Sequence, residues 1–436
     1  MDCLSRLNSL QSNAKTLEML RTSGNNMNAV SISEMEVFCK RSLDIDAFQK
    51  LPIVHVAGTK GKGSTSAFIE SLFRRHGLKT GLFTSPHLRF VNERIRINGK
   101  PVSDELFESN FNHIWDMLST NGSDKPSYFR FLTLMGFHTF VQQKVDICII
   151  EVGVGGRYDG TNVIQHPLAC VITPIGMDHV LTLGDTVSKI AHHKAGIIKP
   201  NSTVFSSEQF EESFREIEEE CLAKKAKLIK CTSNHPLLTK CTITLQHQLQ
   251  NATTALYAFE HVMAVLQKPY FEATMISAIN LTHWPGRNQI IPFENINYFL
   301  DGAHTVESLM YCIDWFQDRS TKCKVLIFNC TPERLNATLI SILNQISWDL
   351  VIFTHNKTRK EGYSSDLLNK NVFYNRDHFV QLQMHIPASL VTNCLEDAVK
   401  LVQERQKELN KDLDVLCTGS LHLVGGIMDL LDVAVE

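Results

Sequence analysis

The chain lacks the features that would place it in several large classes of protein. No apolar run approaches the roughly 20 residues needed to span a bilayer. The twelve cysteines include no C-x-x-C pair, so the sequence indicates neither a disulfide framework nor a zinc site. A formal net charge of −3 gives no electrostatic reason to expect nucleic acid or a membrane surface as a partner.

The first residues also lack a recognisable targeting signal. Residues 1–6 contain no apolar signal core and do not resemble an arginine-rich transit peptide. Together with the cysteine usage, this favours a cytoplasmic protein, and a mitochondrial form would require another start site. What is present is typical of a soluble globular protein, with 43% hydrophobic and 20% charged residues. A length of 436 residues predicts two or three domains.

A glycine-rich loop lies between a predicted strand and a predicted helix. The strand is Ile53–Ala57, which is short and rich in β-branched residues, and apolar residues recur at helical spacing from Phe68 onward. The loop reads Gly58-Thr59-Lys60-Gly61-Lys62-Gly63-Ser64-Thr65. Its N–H groups and the helix N-terminus would point at an anion, and Lys62 would add a mobile positive charge. Because the match to G-x-x-x-x-G-K-[ST] is imperfect, a flexible basic turn is the alternative interpretation.

Strands and helices alternate along most of the chain. The first 50 residues look helical, and further strands are predicted at 79–84, 146–150 and 170–173. Residues 211–230 read as one amphipathic helix with Phe214, Ile217, Cys221 and Leu222 facing inward. A second alternation has predicted strands at 298–300, 325–329, 350–354 and 415–418.

This organisation predicts an α/β protein. A P-loop-containing N-terminal domain with a mainly parallel sheet and a helical N-terminus would span 1–285. A smaller Rossmann-like C-terminal α/β domain would span 286–436, and the Pro-Gly pair within 284–287 would form the hinge.

Polar residues follow several predicted strands, and ligands of open α/β sheets bind beyond the carboxyl ends of strands. Glu151 ends one strand and is suited to hold a nucleotide-bound Mg²⁺, with a salt-bridged or capping role as the alternative. The hydroxyl of Ser85 could reach the same ion. His179 follows the next strand, but on residue type alone it is more often a hydrogen-bonded core residue than a magnesium ligand.

Three further positions carry candidate chemistry. Lys194 lies among apolar neighbours, so burial could deprotonate it and open it to modification, although an ordinary paired lysine is the commoner case. Asp301 and His304 follow a strand of the second domain, and Arg287 lies at the predicted hinge, where an arginine can hold phosphate bidentately.

An ordered series of motifs resembles the folylpolyglutamate synthase family, eukaryotic type, within the Mur ligase superfamily. The motifs are G-T-K-G-K-G-S-T, T-S-P-H-L, E-R-I-R-I-N-G, Y-F-R-F-L-T-L-M, E-V-G-V-G-G-R-Y-D-G-T-N, D-H-V-L-T-L-G-D-T, K-A-G-I-I-K, H-Q-L-Q-N-A, W-P-G-R, D-G-A-H-T and T-G-S-L-H-L-V-G-G. They extend over essentially the whole chain. One motif alone would be weak evidence, whereas the ordered series is specific.

The resemblance implies an ATP-dependent ligase that adds L-glutamate to the γ-carboxyl of a reduced folate through an acyl phosphate. It implies catalytic roles for Lys62, Lys194 and His179, with Lys194 carbamylated. The implied ATP-binding residues are Gly58, Thr59, Gly61, Lys62, Gly63, Ser64, Asn251, Arg287, Asp301 and His304. The implied magnesium ligands are Ser85, Glu151 and His179, and the folate-binding candidates are Arg94, Phe129 and Arg130.

The expected cofactors are ATP and Mg²⁺ at two sites, with a monovalent cation such as K⁺ as a further candidate. The expected partners are reduced folate, L-glutamate and ATP, bound by a monomer. Dihydrofolate synthase or a bifunctional form shares the ATP machinery and remains an alternative. A P-loop switch that hydrolyses nucleotide to signal would leave the second-domain motifs unexplained. The presence of Lys62, Glu151, His179 and Lys194 argues against an inactive relative.

Overall fold

The computed structural model describes residues 3–10, 27–120, 122, 124–231, 235–331, 334–356, 376 and 389–433. The chain forms two compact units. The first contains Met1–His87 and Val91–His283, and the second contains Leu88–Phe90 and Trp284–Glu436. The chain therefore leaves the first unit for three residues and returns to it before the main part of the second unit begins.

The first unit is built on an eight-stranded sheet in the order β4-β3-β2-β5-β1-β6-β7-β8. The strands are β1 Ile53–Ala57, β2 Thr80–Phe83, β3 Ile95–Ile97, β4 Lys100–Pro101, β5 Ile147–Glu151, β6 Ala169–Ile172, β7 Thr203–Ser207 and β8 Lys227–Cys231. Only β3 and β4 run antiparallel to their neighbours. Every residue of β1 and β5 is buried, as expected for parallel strands covered on both faces.

Helices cover both faces of this sheet. They are α1 Cys3–Asn8, α2 Met27–Ser42, α3 Ile45–Gln49, α4 Lys62–Arg75, α5 Asp104–Thr120, α6 Tyr128–Gln142, α7 Val180–Leu183, α8 Val187–Ala195, α9 Glu211–Lys224, α10 Gln246–Val265 and α11 Glu272–Asn280. Helix α4 packs against α10 and α11. A large aromatic core that includes Phe111, Phe131 and Phe137 lies under α5 and α6.

The second unit has a six-stranded sheet in the order β13-β12-β11-β14-β10-β9. Its strands are β9 Gln289–Phe293, β10 Ile296–Leu300, β11 Cys323–Phe328, β12 Leu350–Phe353, β13 Ser389–Val391 and β14 Leu413–Thr418, of which only β9 is antiparallel to its neighbour. Its helices are α12 Val306–Arg319, α13 Ala337–Leu343, α14 Leu395–Leu409 and α15 Leu421–Leu430.

The segment Leu88–Phe90 is anchored within the second unit. The guanidinium of Arg89 pairs with Asp429 and donates a 2.6 Å hydrogen bond to the carbonyl of Val433. The backbone of Leu88 lies so close to Gly425 that a Cβ there would approach the Leu88 oxygen to 2.1 Å. No pattern in the sequence indicates that this segment belongs to the second unit.

One predicted element is wrong. Helix α9 ends at Lys224, and residues 227–230 of the expected helix lie in strand β8 instead. Lys225 takes a left-handed conformation with φ of 53°, which ends the helix and turns the chain into the strand. Leu222, which the helical pattern places on the inward face, is 82% exposed.

The helices of the described segments include none that is long and apolar enough to cross a membrane.

Candidate active site

The glycine-rich loop takes a conformation that only glycine fits. Gly58 has φ of 148° and Gly61 has φ of 77°. A Cβ at Gly58 would lie 1.9 Å from Thr173 Oγ1, and one at Gly61 would lie 2.1 Å from Asn251 Oδ1. The two glycines therefore allow the loop to pack against the end of β6 and against α10, which carries Asn251.

The loop leads into α4, and the helix begins there without a side-chain cap. The N–H groups of Thr59 and Lys60 both donate to the carbonyl of Pro174 at 3.0 Å, which fixes the first half of the loop. Gly61 is the N-cap of α4, and no side chain caps the helix there. The first N–H groups of an uncapped helix have no internal partner, so this helix start suits an anion.

Three of the predicted residues meet beside this loop. The ammonium of Lys62 lies 3.9 Å from Glu151 Oε1, and the N–H of Ser85 donates to Glu151 Oε2 at 3.0 Å. Glu151 is only 3% exposed. Because β2, β5 and β1 are adjacent in the sheet, the residues that end these strands gather at its carboxyl edge.

The residues at this edge supply some, but not all, of the oxygen ligands that a hard cation such as Mg²⁺ needs. Glu151 supplies a buried carboxylate, and Ser85 supplies a hydroxyl on the adjacent strand end, both of which are oxygen donors of the kind that Mg²⁺ prefers. Among the residues with described positions, no group of three or more His, Cys, Asp and Glu side chains has an arrangement that would hold a metal on its own. Such a set fits an ion that is completed by nucleotide phosphates and water.

Lys194 lies beneath the loop. It is 3% exposed, and its Nζ donates a 2.7 Å hydrogen bond to the carbonyl of Gly58. Burial, with a smaller contribution from the nearby charge of Lys62, holds the pKa of Lys194 well below its usual range. A lowered pKa increases the share of the neutral amine, which is the form that reacts as a nucleophile.

His179 differs from the expectation drawn from residue type alone. It is exposed rather than buried, with φ of 52° at the start of α7, so the assignment as a hydrogen-bonded core histidine is wrong. The preceding residue, Asp178, accepts a hydrogen bond from the N–H of His179 and lies 3.8 Å from the ammonium of Lys60. The segment that carries His179 therefore contacts the glycine-rich loop through Asp178.

A buried network that the sequence did not reveal fixes the turn after Glu151. Asp159 accepts hydrogen bonds from the N–H groups of Gly153 and Val154 at 3.2 Å and from Thr161 N–H at 2.9 Å. Thr161 Oγ1 also donates to Asp159 at 2.7 Å and lies 2.9 Å from Nε2 of His55, which is on β1. No sequence pattern predicts these contacts, because most of the donors to Asp159 are backbone N–H groups of its own turn.

Burial opposes charge at both ends of this network. It raises the pKa of Asp159, and the hydrogen bonds from Thr161, Val154 and Gly153 act against that rise. It lowers the pKa of His55 to about 3, so His55 is neutral at physiological pH. Thr161 Oγ1 donates to the Asp159 carboxylate, which leaves His55 Nε2 as the donor to Thr161.

The three folate-binding candidates lie in different surroundings. Arg130 forms a 2.9 Å ion pair with Glu34 of α2. Phe129 packs 5.8 Å from the ring of Phe83 and fills the space that a side chain at Gly153 would need. Arg94 is nearly enclosed and donates from Nε to His87 Nδ1 at 2.9 Å.

The predicted residues of the second unit meet at the end of β10. Asp301 accepts hydrogen bonds from the N–H groups of Asn288 and Ala303, each at 2.9 Å. The side chain of Arg287 approaches Gly302, where a Cβ would lie 2.6 Å from its Nη1. His304 Nδ1 donates to the carbonyl of Gly302 at 2.8 Å.

Comparison with known proteins shows the family of this chain. No family model matches the chain. A folylpolyglutamate synthase of Saccharomyces cerevisiae (strain FostersO) is 35% identical over 477 aligned residues, which cover 99% of this chain and 86% of the yeast protein. The chain belongs to the folylpolyglutamate synthase family.

Solved structures of the family share the fold. Folylpolyglutamate synthase of Mycobacterium tuberculosis, complexed with ADP and AMPPCP, superimposes with a TM-score of 0.76 at 22% identity and covers 93% of this chain and 99% of its own. The apo form of L. casei FPGS gives a TM-score of 0.77 at 21% identity over 98% of both chains. The family and the α/β fold predicted from the motifs are therefore confirmed.

Proposed function

We propose that this folylpolyglutamate synthase family member adds L-glutamate to the γ-carboxyl of tetrahydrofolate and its polyglutamates, with ATP as the energy source. The observation that carries this proposal is the uncapped helix start beside Lys62 and Glu151, in a chain that is 35% identical over 99% of its length to a folylpolyglutamate synthase. The added glutamate carboxylates carry negative charge, and this charge retains the folate product for one-carbon metabolism.

The proposed chemistry has two balanced steps. A carboxylate is a poor electrophile, so an oxygen of the γ-carboxylate first bonds to the γ-phosphorus of ATP, and ADP leaves with the electrons of the broken P–O bond. The amine of L-glutamate then attacks the carbonyl carbon of the acyl phosphate. An amide forms, the C–O bond to phosphate breaks, and the amine proton leaves with the phosphate.

In this proposal the glycine-rich loop holds the phosphates. The N–H groups from Gly61 to Ser64 and the ammonium of Lys62 neutralise charge on the transferred group. Ser85, Glu151 and His179 would hold Mg²⁺. When bound, this ion would offset the negative charge of the nucleotide phosphates.

Lys194 has the environment for carbamylation. A neutral amine can add to CO₂ to give a carbamate and release a proton, and burial favours the neutral amine at Lys194. A carbamate there would supply oxygen ligands to a second Mg²⁺, and a monovalent cation such as K⁺ is a further candidate. Asn251, Arg287, Asp301 and His304 would complete the nucleotide site.

We further propose that 1–285 acts as the ATP-binding domain and 286–436 as the C-terminal ligase domain. The substrates would be reduced folate, L-glutamate and ATP, bound by a cytoplasmic monomer, with a mitochondrial form arising from another start site. Arg94, Phe129 and Arg130 are the candidates for contact with folate.

The decisive experiment measures phosphate release from Mg²⁺-ATP with and without L-glutamate and tetrahydrofolate, while product masses are recorded. Release that needs both substrates, with one glutamate mass gained per phosphate, supports the ligase. Turnover with dihydropteroate instead would favour dihydrofolate synthase. Release that is indifferent to both substrates would show a nucleotide switch and overturn the proposal.

A further inference from the structure

The guanidinium of Arg94, a buried cation of the first unit, is hydrogen-bonded to the described residues through Nε only. Arg94 is 9% exposed, and its Nε donates to His87 Nδ1 at 2.9 Å. Its guanidinium carbon lies 5.6 Å from the ring centroid of Tyr128, and its carbonyl accepts from the N–H of Thr84 at 3.0 Å. Backbone and side chain are thus both fixed, which sets the direction of the guanidinium.

The two terminal nitrogens of Arg94 have no hydrogen-bond partner within the described part of the chain. They are also absent from the polar atoms that are fully enclosed without a partner, so each keeps some contact with solvent. Arg96, two residues later, provides the contrast. It is also buried, but it donates to the carbonyls of Glu93 and Gly99, which is a structural use of an arginine.

Burial lowers the pKa of Arg94, while Tyr128 and the carboxylates of Glu151 and Glu93 act in the opposite direction. A guanidinium nevertheless keeps its proton in proteins. Arg94 is therefore a fixed positive charge with two free donors that lie in parallel, and this geometry matches the two oxygens of a carboxylate.

The sheet order shows which ligand would reach Arg94. Strands β3, β2, β5 and β1 are adjacent in this order, and β3 runs antiparallel to β2, with Phe83 paired with Ile95. Arg94, immediately before β3, thus lies at the same edge as the ends of β2, β5 and β1. Along this edge the order is Arg94, then Ser85, then Glu151, and finally the loop with Lys62.

The glycine-rich loop and Arg94 therefore lie at opposite ends of this row of residues along the sheet edge, with Glu151 between them. A phosphoryl group held by the loop would be transferred along this row towards an acceptor. We propose that the two terminal nitrogens of Arg94 bind the γ-carboxylate of the folate that accepts the phosphoryl group. This inference rests on the proposed function, and it names the group of the substrate that Arg94 recognises.

Such a contact would do two things. It would offset the repulsion between the incoming carboxylate and Glu151, and it would fix the acceptor oxygen relative to the γ-phosphorus. One carboxylate oxygen forms the bond to phosphorus while the other stays on the guanidinium, and ADP departs with the bridging oxygen.

The test compares ligands that differ only at one carboxyl group. Tetrahydrofolate, its γ-carboxamide and its α-carboxamide are titrated by calorimetry into wild-type protein, Arg94→Gln and Arg94→Lys. Wild type should bind the acid on the order of 10- to 100-fold more tightly than the γ-carboxamide. This ratio should fall to about 1 in Arg94→Gln, because the variant has lost the charge that distinguishes acid from amide.

Two controls keep the result interpretable. Arg215→Gln removes an exposed arginine of α9 that pairs with Glu211, and it should leave the ratio unchanged. Binding of ATP and the thermal transition report whether each variant is folded. If Arg94→Gln does not fold, Arg94→Lys keeps the charge without the fork and should retain only part of the discrimination.

A ratio in Arg94→Gln that equals the wild-type ratio would overturn the assignment. So would a loss of discrimination confined to the α-carboxamide, or an equal weakening of ATP binding, which would place Arg94 on the nucleotide. Failure of wild type to release phosphate in response to folate and glutamate would instead overturn the proposed function. The two failures are therefore distinguishable.

Discussion

In each unit a strand runs through a tight turn into a helix, after β1 in the first unit and after β10 in the second. The turn of the first unit enters α4 through Gly61 with no side-chain cap. The turn of the second unit enters α12 through Thr305, and the N–H groups of His304 and Thr305 both donate to Ser308 Oγ at 3.2 and 3.1 Å.

The two turns also differ in charge. Lys60 and Lys62 lie in the first turn, whereas Asp301 in the second accepts hydrogen bonds from the surrounding backbone. The same connection therefore serves two purposes. Where the protein caps its own helix, the turn presents side chains such as His304. Where it leaves the helix uncapped, the backbone itself is available to a phosphate.

The largest effect is expected at the cation of the uncapped turn. Lys62→Ala should lower folate-dependent phosphate release by about a thousandfold, because charge on the transferred phosphoryl group loses its mobile counter-charge. Lys60→Ala is the matched control, since it removes the same charge from the same loop, and it should stay within about tenfold of wild type. Steady-state release and the thermal transition are measured for both. Equal losses in the two variants would contradict the distinction.

The next largest effect is expected at Gly61, the N-cap residue of α4. Gly61→Ala places a Cβ 2.1 Å from Asn251 Oδ1 at φ of 77°, whereas Gly77→Ala has φ of 82° with nothing within 4 Å. Both should lose about 1–2 kcal/mol of stability through the left-handed conformation, and Gly61→Ala should lose more because its Cβ also displaces the Asn251 side chain. Only Gly61→Ala should also weaken ATP binding, by about 100-fold, as measured by titration. Similar ATP affinity in the two variants would show that the close approach to Asn251 is unimportant.

A smaller effect is expected in the capped turn. Ser308→Ala removes the acceptor for two N–H groups and should cost about 0.5–2 kcal/mol in the free energy of unfolding, measured with urea. Its loss of phosphate release should be smaller than that of Gly61→Ala. Ser119→Ala, on the exposed end of α5, is the control and should be nearly neutral. A larger activity loss at Ser308 than at Gly61 would reverse the comparison.

A further effect concerns the pH dependence of stability and the network behind the first turn. The pKa of His55 is lowered to about 3 from an unfolded value near 6.5, so between these values only the unfolded chain takes up the proton. This group therefore makes stability fall as pH falls through that window. His55→Gln should reduce the slope by up to about 1.4 kcal/mol per pH unit. Urea unfolding midpoints between pH 4.5 and 7 measure it, and parallel slopes would contradict the assignment.

Much of the fold was predictable from hydrophobic periodicity. The strands β1, β5, β10 and β11 are buried apolar runs, and a buried parallel sheet produces such runs directly. Short edge strands such as β4 and β13 carry no comparable signal. Residues 211–230 misled the prediction because the amphipathic pattern continues past Lys225, where the backbone conformation ends the helix.

The candidate site was predictable where a rule connects sequence to position. Ser85 and Glu151 follow or end adjacent strands, and the rule that ligands bind at the carboxyl edge of a parallel sheet is sufficient to predict that they meet. Asp159 was not predicted because its partners are mostly backbone N–H groups of its own turn. The exposure of His179 depends on its own left-handed conformation, which its sequence neighbours do not indicate.

The segment Leu88–Phe90 has a consequence for the order of events during synthesis. These residues leave the ribosome well before Trp284, yet their partners Val433 and Asp429 lie in the last part of the chain. Domains generally fold as units, the N-terminal one first. The first unit would then fold before Leu88 to Phe90 can contact their partners in the second unit. The second unit is completed only when the helix that carries Asp429 has been synthesised.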